Sequence, residues 1–275
     1  METKKLGYVF IQNYEIESVN LGREVLIDFY LPTNIHATNL SLLLINDGQD
    51  LVKMKFEHIL EELYSSDKIK PLLCVGIHCG PDRRNEYGTA AFRDYKGRGI
   101  KAAAYAQFIF EELIPFIRET CGIHNFIEKS FCGFSLGGLS ALDIVWNRPE
   151  EFSKVGVFSG SLWWRTVSQD DVLFDEDKHR IMHMQIRNGG YYPWLKFFFE
   201  TGSKDETADR NNNGVIDAID DTVSCIDELV LKGYKRGRDI EYLEMKDGRH
   251  DIFTWAEAFP AFLTWGWGKN LSDDY

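Results

Sequence analysis

The pentapeptide Gly133-Phe134-Ser135-Leu136-Gly137 stands directly behind an apolar run and directly ahead of the small-residue stretch Gly138-Leu139-Ser140-Ala141-Leu142. That order reads as a short strand over 127–132, a tight turn and a helix, the setting in which a Gly-x-Ser-x-Gly serine becomes a nucleophile. A serine hydroxyl is weak at neutral pH, so it needs a base within hydrogen-bonding reach and open access to a carbonyl. A sharp turn supplies the access by lifting the side chain above the sheet edge in a strained backbone conformation. Gly133 and Gly137 leave room for crowded backbone, and the Leu136 amide, at the positive end of the helix, is aimed at the substrate oxygen. The alternative is an ordinary strand–loop–helix junction with an incidental serine.

Apolar runs and helical patterns alternate along the rest of the chain. Strands are expected at 25–31, 40–45, 72–78, 155–158, 194–199 and 240–245, and helices at 51–64, 102–121, 179–187, 219–231 and 252–265. Pro115 should kink or interrupt the second of these helices. Such alternation predicts a mostly parallel central sheet with helices on both faces. With 275 residues and no linker, repeat or low-complexity tract, the chain reads as one α/β domain over 1–275, without a large lid. The net charge of -12 argues against nucleic acid and anionic membrane surfaces as partners. Cys74, Cys79, Cys121, Cys132 and Cys225 lack metal or redox spacing and read as reduced thiols of a cytoplasmic protein. The polar start and the lack of any long apolar run give no sign of a signal or a membrane span, although a removed signal peptide is compatible with the sequence.

In a parallel sheet, function gathers in the loops after the carboxyl ends of the strands. His250 follows the last expected strand and precedes the closing helix, which makes it the preferred base. His78 ends an earlier strand on the same rim and is its rival; His36, His58, His124, His179 and His183 fall in helices or connections elsewhere. The base needs a carboxylate to fix its tautomer and stabilise the imidazolium. Asp205, three residues past Gly202, is favoured, with Glu206 as the alternative. The order Ser135, Asp205, His250 is that of an α/β-hydrolase fold. Asn46-Asp47-Gly48-Gln49 follows an early strand, and its Gln49 amide is the expected second oxyanion donor beside that of Leu136, a plain Asp-Gly turn being the alternative.

These residues resemble the putative esterase family of α/β-hydrolases, the group of enterochelin-type siderophore esterases, feruloyl esterases and S-formylglutathione hydrolases. The shared features are Asp47-Gly48-Gln49, Val75-Gly76-Ile77 with Arg83-Arg84-Asn85-Glu86-Tyr87, and Glu112-Leu113-Ile114-Pro115. Beyond them come the Ser135 turn, Ser159-Gly160-Ser161-Leu162-Trp163-Trp164, Gly202 with Asp205, and Gly248 with His250. The resemblance spans about Tyr30 to Trp265, but it does not extend to the separate N-terminal domain of some enterochelin esterases. It implies Ser135 as nucleophile, His250 as base, Asp205 as orienting acid and the Gln49 and Leu136 amides as oxyanion donors. It also implies that Trp163 and Trp164 face the acyl or aryl part of the substrate. Arg83 and Glu86 read as an ion pair bracing the rim.

A second motif lies close by. Asp209, Asn211, Asn213, Val215, Asp217 and Asp220 match a calcium-loop template, with Gly214 at its sharp turn, so a structural Ca²⁺ is expected to brace the Asp205 loop. A polar loop satisfying its own backbone is the alternative. The expected activity is hydrolysis of a small-molecule carboxylic ester through an acyl-enzyme, with no cofactor in the reaction. Acyl transfer on the same site and a non-catalytic, calcium-dependent binding module are the competing readings. Thiol chemistry at Cys79 is a distant third.

Overall fold

The computed structural model describes residues 3–33 and 40–269; His36 lies outside them. The strands are β1 (Thr3–Lys5), β2 (Val9–Ser18), β3 (Arg23–Pro32), β4 (Ser41–Asn46), β5 (Leu72–Ile77), β6 (Lys129–Phe134), β7 (Lys154–Phe158), β8 (Lys196–Lys204) and β9 (Ile240–Arg249). The α-helices are α1 (Phe56–Ser65), α2 (Arg83–Glu86), α3 (Ala102–Gln107), α4 (Ile114–Cys121), α5 (Leu136–Asn147), α6 (Glu176–His179), α7 (Ile181–Asn188), α8 (Asp217–Lys232) and α9 (Ile252–Trp267). Among the described residues the strands form one sheet in the order β1-β2-β3-β5-β4-β6-β7-β8-β9. The pairs from β5 through β4 to β9 are parallel, whereas β1, β2 and β3 join antiparallel. This is the α/β-hydrolase architecture.

Burial explains the strands. Every residue of β4 and β5 is buried, as befits central strands covered on both faces. In β2 the half-buried Gln12, Tyr14 and Ile16 alternate with the exposed Asn13, Glu15 and Glu17, because that antiparallel strand has one wet face. Its apolar content is too low for a strand to be read from the sequence. Two apolar layers fill the spaces on either side of the sheet. One holds Phe108, Leu139, Leu142, Ile186 and Leu229, and the other holds Phe56, Leu60, Phe259, Phe262 and Trp267. In the second layer the rings of Phe158 and Phe259 stack with centroids 5.1 Å apart. No helix among the described residues is long and apolar enough to cross a membrane.

Among the boundaries that differ from expectation, three have a clear local reason. The 102–121 helix is divided by a π-helical turn, Phe108–Leu113, that ends just before Pro115. The wider turn accommodates a residue with no amide hydrogen to give. Arg180 breaks the 179–187 helix into α6 and α7. Trp194 is not in a strand: it is half exposed, its indole donates to the Pro149 carbonyl, and β8 begins two residues later.

The order of strands positions the site. From β4 the chain moves outward to β5, then returns to lay β6 on the other side of β4. The direction of winding therefore reverses between β4 and β6, and a crevice opens at the carboxyl ends of that pair. The loops that follow these two strands contain Gln49 and Ser135.

Candidate active site

Ser135 joins β6 to α5 with φ 55° and ψ -121°, a left-handed conformation that costs a non-glycine residue about 1–3 kcal/mol. The flanking glycines show why the strain is tolerated only with this spelling. A Cβ at Gly133 would lie 2.5 Å from the Gly137 carbonyl carbon, and one at Gly137 would lie 2.7 Å from Asp47 Oδ2. The turn is pinned from below: the Ser135 amide donates to the Phe158 carbonyl at 2.8 Å, and the Ser135 carbonyl accepts from the Ser161 amide at 3.1 Å.

The loop after β4 is locked to the same turn. Asn46 Nδ2 donates to the Gly137 carbonyl at 2.7 Å, and the Tyr105 hydroxyl donates to Asn46 Oδ1 at 2.5 Å. Asp47, itself left-handed, receives a two-pronged hydrogen bond from Arg83 at 2.7 and 2.6 Å. A further bond runs from the Asp47 amide to the Tyr87 hydroxyl at 3.2 Å. Arg83 and Glu86 are thus both structural ion-pair residues, but they do not pair with each other. Glu86 is buried and bound by Arg23 at 2.7 Å, which holds α2 to the start of β3. Among the described residues, neither the Gln49 amide nor the Leu136 amide donates to another backbone group. Leu136 opens α5, where helix geometry leaves an amide free.

Asp205 and His250 meet through strand register. Lys204 at the end of β8 is paired with Arg249 at the end of β9, so the next residues of the two strands are neighbours. Gly202 permits the approach, since a Cβ there would lie 2.5 Å from both Asp205 Oδ1 and the Gly248 carbonyl carbon. Both Asp205 carboxylate oxygens are buried without a hydrogen-bond partner. Burial raises the carboxyl's pKa, while the His250 charge favours its ionised form. His250 packs edge-on against Trp255, with centroids 5.3 Å apart. Loss of hydration lowers the imidazole from its ordinary value. Asp205 opposes that effect, Arg83 adds to it and Asp251 opposes it more weakly, so the balance favours the uncharged ring. Glu206 is exposed by surface area; partial loss of hydration at its carboxyl, and then the Asp217 charge, raise it, and the imidazole is not among its influences.

Among the described residues no hydrogen bond or ion pair joins Asp205 to His250, and none joins Ser135 to either of them. The recorded partner of Ser135 Oγ is Ser161 Oγ at 3.4 Å. Without substrate such bonds are commonly long, and they tighten in the productive complex.

Sequence reasoning missed Glu200, which lies inside the apolar run of β8 and is fully buried. Burial, and then the Asp205 charge, push its carboxyl up to about 8, so it is mostly protonated at pH 7. Ser159 donates to Glu200 Oε2 at 3.5 Å and accepts from Trp255 Nε1 at 2.9 Å. Ser159 thereby ties the floor of the acid loop to the wall behind His250. A lone glutamate among three phenylalanines was the signal available in the sequence.

The rival residues are occupied elsewhere. His78 bonds Asp28 at 2.7 Å and lines a separate depression of about 560 Å³ with Asn13, Tyr14 and Phe116. Burial, reinforced by Asp47, pushes the Cys79 thiol up to about 12, leaving almost no thiolate for nucleophilic chemistry. His183 is buried against the Asp221 carbonyl at 2.9 Å. Trp163 and Trp164 differ. Trp164 has no exposed surface and packs over Gly88 and Gly99, so it braces the wall and offers no surface to a substrate. Trp163 is half-buried and carries the Arg98 guanidinium 5.0 Å above its ring.

In the 209–220 loop, Asp209 accepts from the Asn213 and Gly214 amides, and Asn211 and Asn213 both donate to Asp220 Oδ2, at 2.9 and 2.8 Å. Val215 donates its amide to Asn213 Oδ1, and Asp217 opens α8 paired with Arg210. Among the described residues no three His, Cys, Asp or Glu side chains gather as a metal site. Asp209, Asn211, Asn213 and Asp220 do converge, but two of the oxygen-bearing groups turn amide nitrogens, not oxygens, toward the shared point.

A family model described as putative esterase matches residues 18–265. Among curated proteins, the uncharacterized protein YjcH of Bacillus subtilis (strain 168) is 24% identical over 181 residues, covering 64% of this chain and 72% of YjcH. Among solved structures, the enterochelin esterase from Shigella flexneri superposes with a TM-score of 0.70 at 18% identity over 92% of this chain. This chain spans only 57% of that esterase's length. The siderophore hydrolase EstB from Aspergillus nidulans gives 0.65 at 17% identity, covering 96% of this chain and 97% of EstB. An IroE-like serine hydrolase from Shewanella oneidensis gives 0.66 at 17% identity, covering 92% of this chain and 78% of the other. At such identities the structural likeness is one of fold.

Proposed function

Because the chain belongs to the putative esterase family, and by that membership is a carboxylic-ester hydrolase, we propose that it works through a Ser135–His250–Asp205 triad and an acyl-enzyme. His250 takes the hydroxyl proton as Ser135 Oγ attacks the ester carbonyl. The Gln49 and Leu136 amides hold the oxyanion, and Asp205 stabilises the imidazolium. The alcohol leaves with the proton that His250 returns, and water activated by the same imidazole releases the acid. The observation that supports this reading is the strained serine at the winding reversal, in loops that also contain two amides without a backbone partner, with a histidine and a carboxylate directly following adjacent strands. The substrate is a small-molecule ester, and one domain supplies every group in the reaction. The free, mostly buried thiols favour a reducing compartment such as the cytoplasm. Incubating a p-nitrophenyl ester with a competing alcohol should yield free acid as the main product. A new ester as main product would assign acyl transfer in place of hydrolysis.

The 209–220 loop enters this reading as a place for a structural Ca²⁺, held by Asp209, Asn211, Asn213 and Asp220 after rotation of the two amides. The ion would brace the acid loop and take no part in the chemistry. Millimolar Ca²⁺ should raise the melting temperature by several degrees, and a chelator should reverse the rise. An unchanged melting temperature would leave a self-satisfied polar loop.

A further inference from the structure

Beside Trp163 lies a depression of about 270 Å³ bordered by three segments: Tyr95, Lys96 and Arg98; Trp163 and Arg165; Glu206 and Arg210. Two of these segments leave the reaction centre directly. Trp163 follows Ser161, whose hydroxyl is 3.4 Å from that of Ser135, and Glu206 follows Asp205. Arg165 is four positions beyond Ser161, so the two backbones are at most about 14 Å apart.

The charges lining the depression are not equally committed. Arg98 is held by Asp94 at 2.7 Å, and Arg210 by Glu176 at 2.7 Å and Asp221 at 2.6 Å. Asp217 and Asp221 on the far lip are in turn neutralised by Arg210. Arg165 is different. Among the described residues no carboxylate lies within ion-pair distance of it, and its one recorded bond as donor is from Nη1 to the Trp163 carbonyl at 3.3 Å. Its Nε is buried with no partner. The guanidinium is fixed by aromatic rings, with centroids 5.5 Å away at Tyr95, 5.9 Å at Trp163 and 5.8 Å at Phe174. Lys96 beside it is likewise without a recorded carboxylate and rests 5.4 Å from the Tyr95 ring. Arg165, which is within the field of Glu176 but makes no ion pair with it, and Lys96 thus face the depression against one lining carboxylate not paired with an arginine, that of Glu206. A chain with net charge -12 has ample carboxylates elsewhere to pair them.

We propose that this depression is a substrate subsite in which Arg165 pairs with a free carboxylate on the ester, several bonds from the scissile carbonyl. The inference rests on the esterase reading and adds a substrate class to it: anionic esters, such as half esters of dicarboxylic acids. A planar guanidinium already fixed between rings loses little freedom on binding and matches the two oxygens of a carboxylate. Lys96 adds a second, screenable charge at the mouth.

The test compares the p-nitrophenyl half ester of suberate with p-nitrophenyl octanoate, which has the same chain length without the terminal charge. Arg165→Gln should lower kcat/KM for the half ester about 10- to 100-fold, mainly through KM, while octanoate changes less than about 2-fold. Arg165→Lys should recover part of the loss. Equal effects on both esters, or none on either, would overturn the subsite, and retained octanoate hydrolysis shows that the variant is folded. If the wild type hydrolyses neither ester, it is the esterase reading that fails. Equilibrium binding of suberate then decides the subsite: Arg165→Gln must weaken it by the same factor, and unchanged or undetectable binding overturns it.

Discussion

Ser135→Ala should lower ester turnover by about 10⁵- to 10⁶-fold and leave the melting temperature nearly unchanged. The loss is that large because the hydroxyl forms and breaks the covalent bond, and no neighbouring group replaces it. Ser161 Oγ is 3.4 Å away, but it belongs to the loop after β7, not to the strained turn between β6 and α5 that holds Ser135. Stability should hardly move, since the hydroxyl makes only that one long contact. Ser135→Gly sharpens the argument. At φ 55° and ψ -121° glycine relieves strain that both serine and alanine bear, so this variant should be inactive yet more stable by about 1 kcal/mol. A variant that lost activity and stability together would instead mark Ser135 as a structural residue.

Asp205→Asn should reduce turnover by about 10⁴-fold, because the amide no longer stabilises the imidazolium and can select the wrong tautomer. The pH profile carries an independent sign. In the wild type, lost hydration and Arg83 outweigh Asp205, so the acid limb of kcat/KM should lie below the ordinary histidine value of 6.5. Asp205 is the stronger of the two carboxylates that raise the imidazole, the other being Asp251, so its removal should move that limb to still lower pH. Glu206→Gln should change neither quantity appreciably, because Glu206 is exposed and its charge is not among those that perturb His250. The reverse pattern would exchange the roles of the two acids.

Some of this was legible in the residues and some was not. The Ser135 turn could be read because its geometry demands glycine at fixed positions, and Gly133 and Gly137 stand against backbone and Asp47 as that demand requires. His250 could be placed on the rim because a loop between a last strand and a last helix has few other places to go. Strand β2 was missed because half its residues face water and dilute the apolar signal. The partners of Arg83 and Glu86 were beyond reach for another reason. Spacing within α2 suggests that they pair together, whereas Asp47 and Arg23 come to them from 36 and 63 residues away. Burial was equally hidden at Trp164, whose neighbour Trp163 is identical in type but half-buried. Glu200 shows the same limit: only the fold reveals that a strand glutamate points into the core beside Asp205.

The account's central claim is that Ser135 is an activated nucleophile. Reaction of the intact protein with a fluorophosphonate, followed by peptide mass mapping, tests it most directly. One phosphonyl group per chain on Ser135, formed quickly in the wild type and far more slowly in His250→Ala, is the predicted result. An unmodified Ser135, or labelling that proceeds equally well without the imidazole, would contradict it.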